Sequence, residues 1–217
     1  MTRLAIFDCD GTLVDGQASI CEAMEAGFAS ANLTPPDRNT IRRMVGLSLP
    51  QALRRLAPDA SAETQAIAVQ GYKDSFSTAR AEGRLREPLY DGMAELLGRL
   101  HREGWLLAVA TGKSDRGLNA CLAMHDIADF FISLQTADRH PSKPDPAMLL
   151  AALDEAKVDP AGAVMIGDTT FDIAMARTAG VRAIGVAWGY HKPEELLEEG
   201  ADAVARTMDE LEALIRG

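Results

Sequence analysis

The feature that most constrains this 217-residue chain is a short apolar run followed at once by two aspartates. The run is Leu4–Phe7, and Asp8 and Asp10 come directly after it. Four apolar residues in succession predict a buried parallel strand, and open α/β sheets bind ligands outside the carboxyl ends of their strands. Side chains two residues apart leave an extended chain on the same side, so both carboxylates should point the same way. Because close carboxylates repel each other, the pair predicts a bound cation or proton.

This pair of acids also favours one kind of chemistry. An aspartate followed two residues later by a second acid suits covalent phosphoryl transfer through an aspartyl phosphate, provided that a divalent cation is bound. Gly11 and Thr12 come next, and they let the backbone turn and present amide donors. The alternative interpretation is a polar turn after a strand, with no chemical role.

The rest of the sequence divides into a helical block and a block in which strands and helices alternate. The predicted helices of the first block are Ala18–Ala31, Asp37–Val45, Leu49–Ala57 and Ser61–Ala81. From residue 85 the predicted strands are Leu106–Ala110, Phe130–Leu134, Val164–Gly167 and Val181–Ala187, and the predicted helices are Asp91–Glu103, Ser114–Met124, Pro146–Ala156, Phe171–Gly180, Pro193–Glu199 and Asp209–Arg216. The alternation predicts a mainly parallel sheet with right-handed crossovers. We therefore expect an α/β fold: a Rossmann-like parallel sheet core (1–15 and 85–217) with an inserted α-helical cap domain (16–84).

Composition excludes several classes of partner. The net charge is −10, whereas nucleic acids and anionic membranes require a concentrated basic face. The three cysteines (Cys9, Cys21 and Cys121) are odd in number and scattered, which is typical of a reducing compartment, and Cys9 should face the core. The sequence has neither a recognisable targeting segment nor an apolar run of transmembrane length, so we expect a cytoplasmic protein with no membrane partner.

Three later strand ends carry polar residues of the same kind as the first. Thr111 and Gly112 place a hydroxyl and free amides just before a helix, where anions bind; Thr111 could equally be a helix N-cap. Lys143 is held ahead of a proline and could bind a phosphate, although most lysines are solvated. Asp168 and Asp172 add further acids, unless they serve only as turn and capping residues. Together with the first two aspartates they would form a carboxylate cluster that needs a hard cation.

These motifs, in this order, strongly resemble the haloacid dehalogenase-like hydrolase superfamily, and the resemblance covers the whole chain. The branch is similar to phosphoglycolate phosphatases and β-phosphoglucomutases, which carry a helical cap. An acid at position 10 disfavours the dehalogenase and phosphonatase branches, which lack it. The motifs that carry the resemblance are Asp8-x-Asp10-Gly11-Thr12, Thr111-Gly112, Lys143-Pro144 and Gly167-Asp168-x-x-x-Asp172.

The resemblance implies a role for each catalytic residue. Asp8 would be the nucleophile that accepts the phosphoryl group. Asp10 would first protonate the leaving group and then activate water. Thr111 and Lys143 would hold the phosphoryl oxygens, and Gly112 would contribute its amide. These roles agree with the physical demands of phosphoryl transfer, which needs in-line positioning and charge neutralisation.

The resemblance also implies a metal site. Mg²⁺ would be bound by Asp8, Asp168 and the backbone carbonyl of Asp10, while Asp172 would act in the outer shell or as a further ligand. The expected activity is Mg²⁺-dependent hydrolysis of a small-metabolite phosphomonoester, as in phosphoglycolate phosphatases. Alternatives are a sugar phosphomutase, a pyrophosphatase and a non-catalytic phospho-acceptor domain. The length of the chain and the second acid disfavour the phospho-acceptor domain.

The sequence says least about the substrate. The loop Gly46, Leu47 and Ser48 between cap helices is the preferred specificity loop. Val45 and Leu49 are apolar where mutases usually carry a lysine and an arginine, which argues against mutase activity. We expect a small phosphorylated metabolite as the partner, and either a monomer or a dimer.

Overall fold

Among the described residues, six parallel strands form one sheet at the centre of the molecule. The structure is a computed structural model that describes residues 3–217. The strands are β1 (Leu4–Phe7), β2 (Leu106–Thr111), β3 (Phe131–Thr136), β4 (Ala163–Gly167), β5 (Arg182–Val186) and β6 (Ala203–Ala205). Their spatial order is β3-β2-β1-β4-β5-β6, which is the Rossmann order. The order reverses direction between β1 and β4, so a ligand crevice is expected where these two strands end.

The helices fall into two groups along the chain. Four of them lie between β1 and β2 without an intervening strand: α1 (Gln17–Ser30), α2 (Arg38–Arg42), α3 (Leu49–Leu56) and α4 (Ala62–Ala81). The remainder are α5 (Met93–Arg102), α6 (Asp115–Met124), α7 (Ala147–Ala156), α8 (Thr170–Thr178), α9 (Pro193–Glu199) and α10 (Met208–Arg216). Within residues 3–217, no helix combines the length and the apolarity needed to cross a bilayer.

Apolar side chains cover both faces of the sheet. Alternate residues of β1 point to opposite faces: Ala5 and Phe7 join one buried cluster, whereas Leu4 and Ile6 join the other. The first cluster includes leucines of α5 and α6, and the second includes residues of α7 and α8. Cys9 is buried in the first cluster, as predicted, with its Sγ 4.0 Å from that of Cys121. This double burial explains why β1 reads as a continuous apolar run.

Helices α1–α4, which we call the cap helices, have an apolar cluster of their own. Its buried members include Met24 and Phe28 of α1 and Leu53 of α3. Gly27 allows α1 to pack closely on α4, since a Cβ there would lie 2.6 Å from the carbonyl oxygen of Ala68. The separate cluster fits an inserted unit, and the domain boundaries at residues 15/16 and 84/85 stay a prediction.

The α/β fold and the parallel sheet are confirmed, and most predicted elements lie within about two residues of the observed ones. The strand Ala203–Ala205 was not predicted, because three small residues give no recognisable period. Helix α2 ends at Arg42 rather than at Val45. The chain leaves the helix through tight turns to Gly46, whose φ of +96° no helix residue adopts.

Candidate active site

The register of the sheet brings three carboxylates together at its centre. Phe7 pairs with Ile166, and the Asp8 amide continues the ladder by donating to the Ile166 carbonyl at 2.9 Å. Asp8 therefore lies beside the end of β4, where Asp168 follows. One carboxylate oxygen from each of Asp8, Asp168 and Asp172 lies within 4.8 Å of the other two, and all three residues are buried. Three of the four acids of the predicted cluster thus lie together at the edge where the strand order reverses, and Asp10 is not among them.

Two neighbouring segments fix the orientation of Asp168. The Thr12 hydroxyl donates to its Oδ1 at 3.0 Å, and the Tyr190 amide donates to its Oδ2 at 2.8 Å. Glycines make room for it: a Cβ at Gly11 or Gly189 would lie 2.2 Å from an Asp168 oxygen. Gly11 also has a φ of +87°, which favours glycine. Thr12 therefore orients Asp168, which lies 156 positions away in the sequence. The motif alone did not reveal this role.

Lys143 joins two of the carboxylates. Its Nζ lies 2.8 Å from Asp8 Oδ1 and 2.6 Å from Asp172 Oδ1, and its side chain is fully buried. The other Asp172 oxygen accepts bonds from the amide and the hydroxyl of Thr169, at 3.1 and 2.7 Å, in a capping box that starts α8. Both oxygens of Asp172 are thus already engaged. By contrast, Asp8 Oδ2 is buried without a hydrogen-bond partner among residues 3–217.

The buried charges shift the pKa values of these groups. Burial raises the pKa of Asp8 to about 7, although the Lys143 ammonium acts in the opposite direction. Burial, together with the charges of Asp8 and Asp172, raises the pKa of Asp168 well above its usual range. Burial opposes the charge on Lys143, but the two carboxylates it contacts outweigh this effect and raise its pKa. One lysine does not balance three clustered carboxylates, so the cluster favours an additional cation.

The donor set suits a hard divalent cation. Carboxylate and carbonyl oxygens are the ligands that Mg²⁺ and Ca²⁺ prefer, whereas zinc favours nitrogen and sulfur ligands. The free Oδ2 of Asp8 is a buried acceptor that lacks a donor. Asp8 keeps one oxygen free of hydrogen bonds within residues 3–217, and Asp168 accepts only from neutral donors, whereas Asp172 is bound to the Lys143 ammonium through one oxygen and to Thr169 through the other. Asp8 and Asp168 are therefore well placed to bind the cation directly.

The second aspartate of the motif lies outside this cluster. Asp10 is nearly buried, and its Oδ1 lies 3.0 Å from Lys113 Nζ. The same ammonium donates to Glu87 Oε1 at 2.5 Å, and the other Glu87 oxygen lies 3.7 Å from Arg80 of α4. Burial raises the pKa of Asp10, and Lys113 opposes this rise. The side chains of Asp8 and Asp10 therefore have separate cationic partners, Lys143 and Lys113.

Sequence reasoning missed this second ion-pair network. The sequence pattern assigned no role to Lys113 or Glu87. Glu87 has no exposed side-chain surface although it lies in an irregular segment between Arg86 and Pro88. Nothing in the local pattern marks this acid as buried, because its partner is 26 residues away. The available signal for Lys113 was its position directly after the strand-end motif Thr111-Gly112, where a charged side chain can reach the site.

Thr111 and Gly112 meet the cap helices at the predicted specificity loop. Thr111 is the last residue of β2 and is buried, with its hydroxyl accepting from the Lys113 amide at 3.3 Å. A Cβ at Gly112 would lie 2.5 Å from the Leu47 carbonyl oxygen and 2.7 Å from that of Gly46. Ser48 is anchored nearby, since its amide donates to Ser142 Oγ at 2.8 Å. The loop therefore faces the carboxylates rather than the far side of the cap helices.

A cavity of about 400 Å³ connects the carboxylates with the cap helices. Asp8 and Asp10 lie at one end, together with Thr111 and Gly112. The predicted loop contributes the next part of the wall. Side chains of α1 and α4 line a further part of the wall. A volume in this range is typical of sites that bind small molecules.

Comparisons with known proteins agree with this geometry. A profile described as haloacid dehalogenase-like hydrolase matches residues 5–186. A probable phosphatase, IndB, of Dickeya dadantii is 35% identical over 97% of this chain and 92% of that protein. A phosphoglycolate phosphatase of Pseudomonas fluorescens is 30% identical, and the alignment covers 100% of this chain and 80% of that protein.

Solved structures share the fold over its full length. The crystal structure of a predicted phosphatase from Clostridium acetobutylicum has a TM-score of 0.89 and 26% identity, and covers 100% of this chain and 99% of that one. A hydrolase from Pseudomonas syringae has a TM-score of 0.87 and 24% identity, and covers 100% and 98% of the two chains. The second similarity concerns the fold alone.

Proposed function

This chain belongs to the haloacid dehalogenase-like hydrolase family and is a phosphatase, and we propose that it hydrolyses a small-metabolite phosphomonoester with Mg²⁺ through an aspartyl phosphate. The observation that carries the proposal is the buried carboxylate of Asp8, which lines the cavity and lies 2.8 Å from the Lys143 ammonium. This ammonium supplies part of the positive charge that a phosphate requires. Curated relatives named phosphoglycolate phosphatase support the same class of substrate.

Asp8 and Asp10 divide the covalent chemistry between them. A carboxylate oxygen of Asp8 attacks phosphorus, and the bond from phosphorus to the ester oxygen breaks. Asp10 gives its proton to the departing alcohol. Asp10 then takes a proton from water, whose oxygen attacks phosphorus and releases inorganic phosphate from Asp8. The raised pKa of Asp10 favours the protonated form that the first step needs.

Three groups are placed to hold the phosphoryl oxygens. Lys143 already contacts Asp8 and is locked by Asp172, so its ammonium needs little reordering to meet a phosphate. The Thr111 hydroxyl and the Gly112 amide lie at the end of the adjacent strand. A fixed cation and preset donors act on the charge that develops during transfer.

A divalent cation completes this arrangement. We propose that Asp8, Asp168 and the Asp10 backbone carbonyl would bind Mg²⁺, with Asp172 in the outer shell because one of its oxygens is paired with the Lys143 ammonium and the other accepts two hydrogen bonds from Thr169. When bound, the ion neutralises phosphate charge and keeps the Asp8 carboxylate ionised. Thr12 and the Tyr190 amide orient Asp168 for this purpose.

The cap side of the cavity favours hydrolysis over phosphoryl transfer to a sugar. Val45 and Leu49 both line the cavity, where a mutase would use a lysine and an arginine. We propose a small phosphorylated metabolite as the partner, since a cavity of about 400 Å³ matches a molecule of that size. A cytoplasmic location and the oligomeric state remain predictions.

The proposal is tested by a phosphatase screen over 2-phosphoglycolate, pyrophosphate, nucleotides and sugar phosphates. We expect release of phosphate with Mg²⁺, its loss in EDTA, and its recovery when Mg²⁺ is added back. The Asp8→Asn variant, prepared in parallel, controls for contaminating phosphatases and should be inactive. Full activity in chelator would contradict the metal assignment, and full activity of Asp8→Asn would contradict the nucleophile.

A further inference from the structure

Much of the cavity wall beyond the carboxylates is apolar. Ile20 and Met24 of α1 form one side, Met44 and Val45 of the α2–α3 connection form another, and Tyr72 and Phe76 of α4 form a third. The two aromatic rings stack, with centroids 5.5 Å apart and planes 20° from parallel. Ile20 and Met24 are almost fully buried, whereas Met44, Val45 and Phe76 are partly exposed. An apolar ligand body would exclude water from this surface.

Two of the cations that reach the cavity are paired with acids. Lys113 lies 3.0 Å from Asp10 and 2.5 Å from Glu87. Arg80 lies 3.7 Å from the other oxygen of Glu87. Lys73 of α4 also lines the cavity and forms no ion pair within residues 3–217. The wall therefore joins an apolar surface to a few charged side chains near its ends.

We infer that the substrate is the phosphate monoester of an alcohol with an apolar body, about the size of a six-carbon chain, rather than of a two-carbon alcohol. The inference rests on the proposed function, because the phosphate must lie at Asp8. A two-carbon alcohol would leave the apolar wall in contact with water. A hydrocarbon body would fill the space between α1 and the stacked rings of α4, and its burial would stabilise the complex.

Straight-chain alkyl phosphates test the inference, because their leaving groups are all primary alcohols. We compare ethyl, butyl and hexyl phosphate, each with saturating Mg²⁺. The specificity constant kcat/KM should rise by up to about fourfold for each methylene added, chiefly through a lower KM. A series with equal kcat/KM values, or values that fall with chain length, would overturn the inference.

Matched variants locate the effect in the cavity. Met44→Gln keeps the shape of a half-buried wall residue but makes it polar, and should reduce the hexyl-to-ethyl ratio of kcat/KM several-fold. Met124→Gln makes the same change at a residue of α6 that is 52% exposed and does not line the cavity, and should keep the wild-type ratio. Equal ratios in the two variants would overturn the inference. Val45→Thr serves as a second wall variant if Met44→Gln unfolds.

Failure of the inference can be told apart from failure of the proposed function. An enzyme that cleaves all of these esters, with rates independent of chain length, overturns the apolar-body inference and leaves the phosphatase assignment intact. An enzyme that cleaves none of them, nor any ester of the metabolite screen, overturns both.

Discussion

Gly112→Ala is the substitution that best tests how the cap helices meet the core. An added Cβ would lie 2.5 Å from the Leu47 carbonyl oxygen, about 0.9 Å closer than the 3.4 Å at which ordinary contact begins. The obstacle is backbone on both sides, since the Gly46 carbonyl is only 2.7 Å away, so no side chain can rotate to relieve it. The loop Gly46–Ser48 must therefore move by nearly 1 Å away from Gly112 and the carboxylates beside it.

A displacement of this size predicts a large kinetic effect and a moderate effect on stability. A misplacement of about 1 Å can lower the rate roughly 10²-fold, and we expect kcat/KM to fall by about 10- to 100-fold. Overpacking typically costs about 1–3 kcal/mol in the free energy of unfolding, which corresponds to a decrease in Tm of several degrees in a chain of this size. Steady-state kinetics and thermal unfolding monitored by circular dichroism measure the two effects separately.

Gly98→Ala is the matched control. Gly98 lies inside α5, and its added Cβ would meet only Arg102 Nη1 at 3.4 Å and Phe130 Cζ at 3.8 Å. Replacing a glycine in a helix interior by alanine should stabilise the fold by about 0.5–1 kcal/mol and leave kcat/KM unchanged. If Gly112→Ala kept both the wild-type kcat/KM and the wild-type Tm, close contact between the loop and β2 would not be required.

Three further predictions concern the acids and the metal. Asp10→Asn should lower kcat by roughly 10²–10⁴-fold. The loss in the phosphorylation step should be smaller with p-nitrophenyl phosphate, because its leaving group needs little protonation. An equal loss in that step with every leaving group would contradict the general-acid role. Mg²⁺ at 100 times its Kd should stabilise the wild type by about 2.7 kcal/mol and so raise its Tm. The rise in Tm should be far smaller in Asp168→Asn, and an equal rise in both proteins would place the ion elsewhere. Arg43 donates to Glu195 at 2.6 Å and, with the Lys192 amide, lowers the pKa of Glu195 to about 2. The ionised form of Glu195 therefore stabilises the fold fully above pH about 4.3, and this contribution is lost as the pH falls towards 2. Because both side chains of that pair are about one-third exposed, Glu195→Gln should cost less than about 1 kcal/mol at pH 7 in urea unfolding, and the difference should shrink on acidification; a constant difference would contradict the ion pair.

The parts of the fold that depend on the periodicity of apolar residues, and on the residue types at strand ends, could be predicted from the sequence. The apolar run of β1 and the alternation after residue 85 indicate a parallel sheet. The resemblance placed Asp8, Asp168 and Lys143 in one site, and the structure brings these side chains together. The specificity assignment of Gly46–Ser48 remains a prediction, although the loop lies where such a role is possible.

The parts that depend on long-range packing could not be predicted. The pairing of Lys113 with Glu87 exists because the irregular segment before α5 packs beside the end of β2, and no local pattern encodes that approach. The shortening of α2 follows from the positive φ of Gly46 and from contact of the next residue with Gly112. The apolar wall of the cavity is invisible in the sequence for a similar reason. Its residues have the spacing of ordinary core positions in α1 and α4.

The central claim is that Asp8 carries the phosphoryl group during turnover, and chemical trapping tests it most directly. The Asp10→Asn variant should accumulate the intermediate, since it lacks the base that activates water. The variant is mixed with p-nitrophenyl phosphate and Mg²⁺, quenched, and treated with borohydride, which reduces an acyl phosphate to an alcohol. Peptide mass spectrometry should then find homoserine at position 8, and only when both substrate and Mg²⁺ were present. Homoserine at another acidic residue, or an unmodified Asp8 during continuing turnover, would contradict the account.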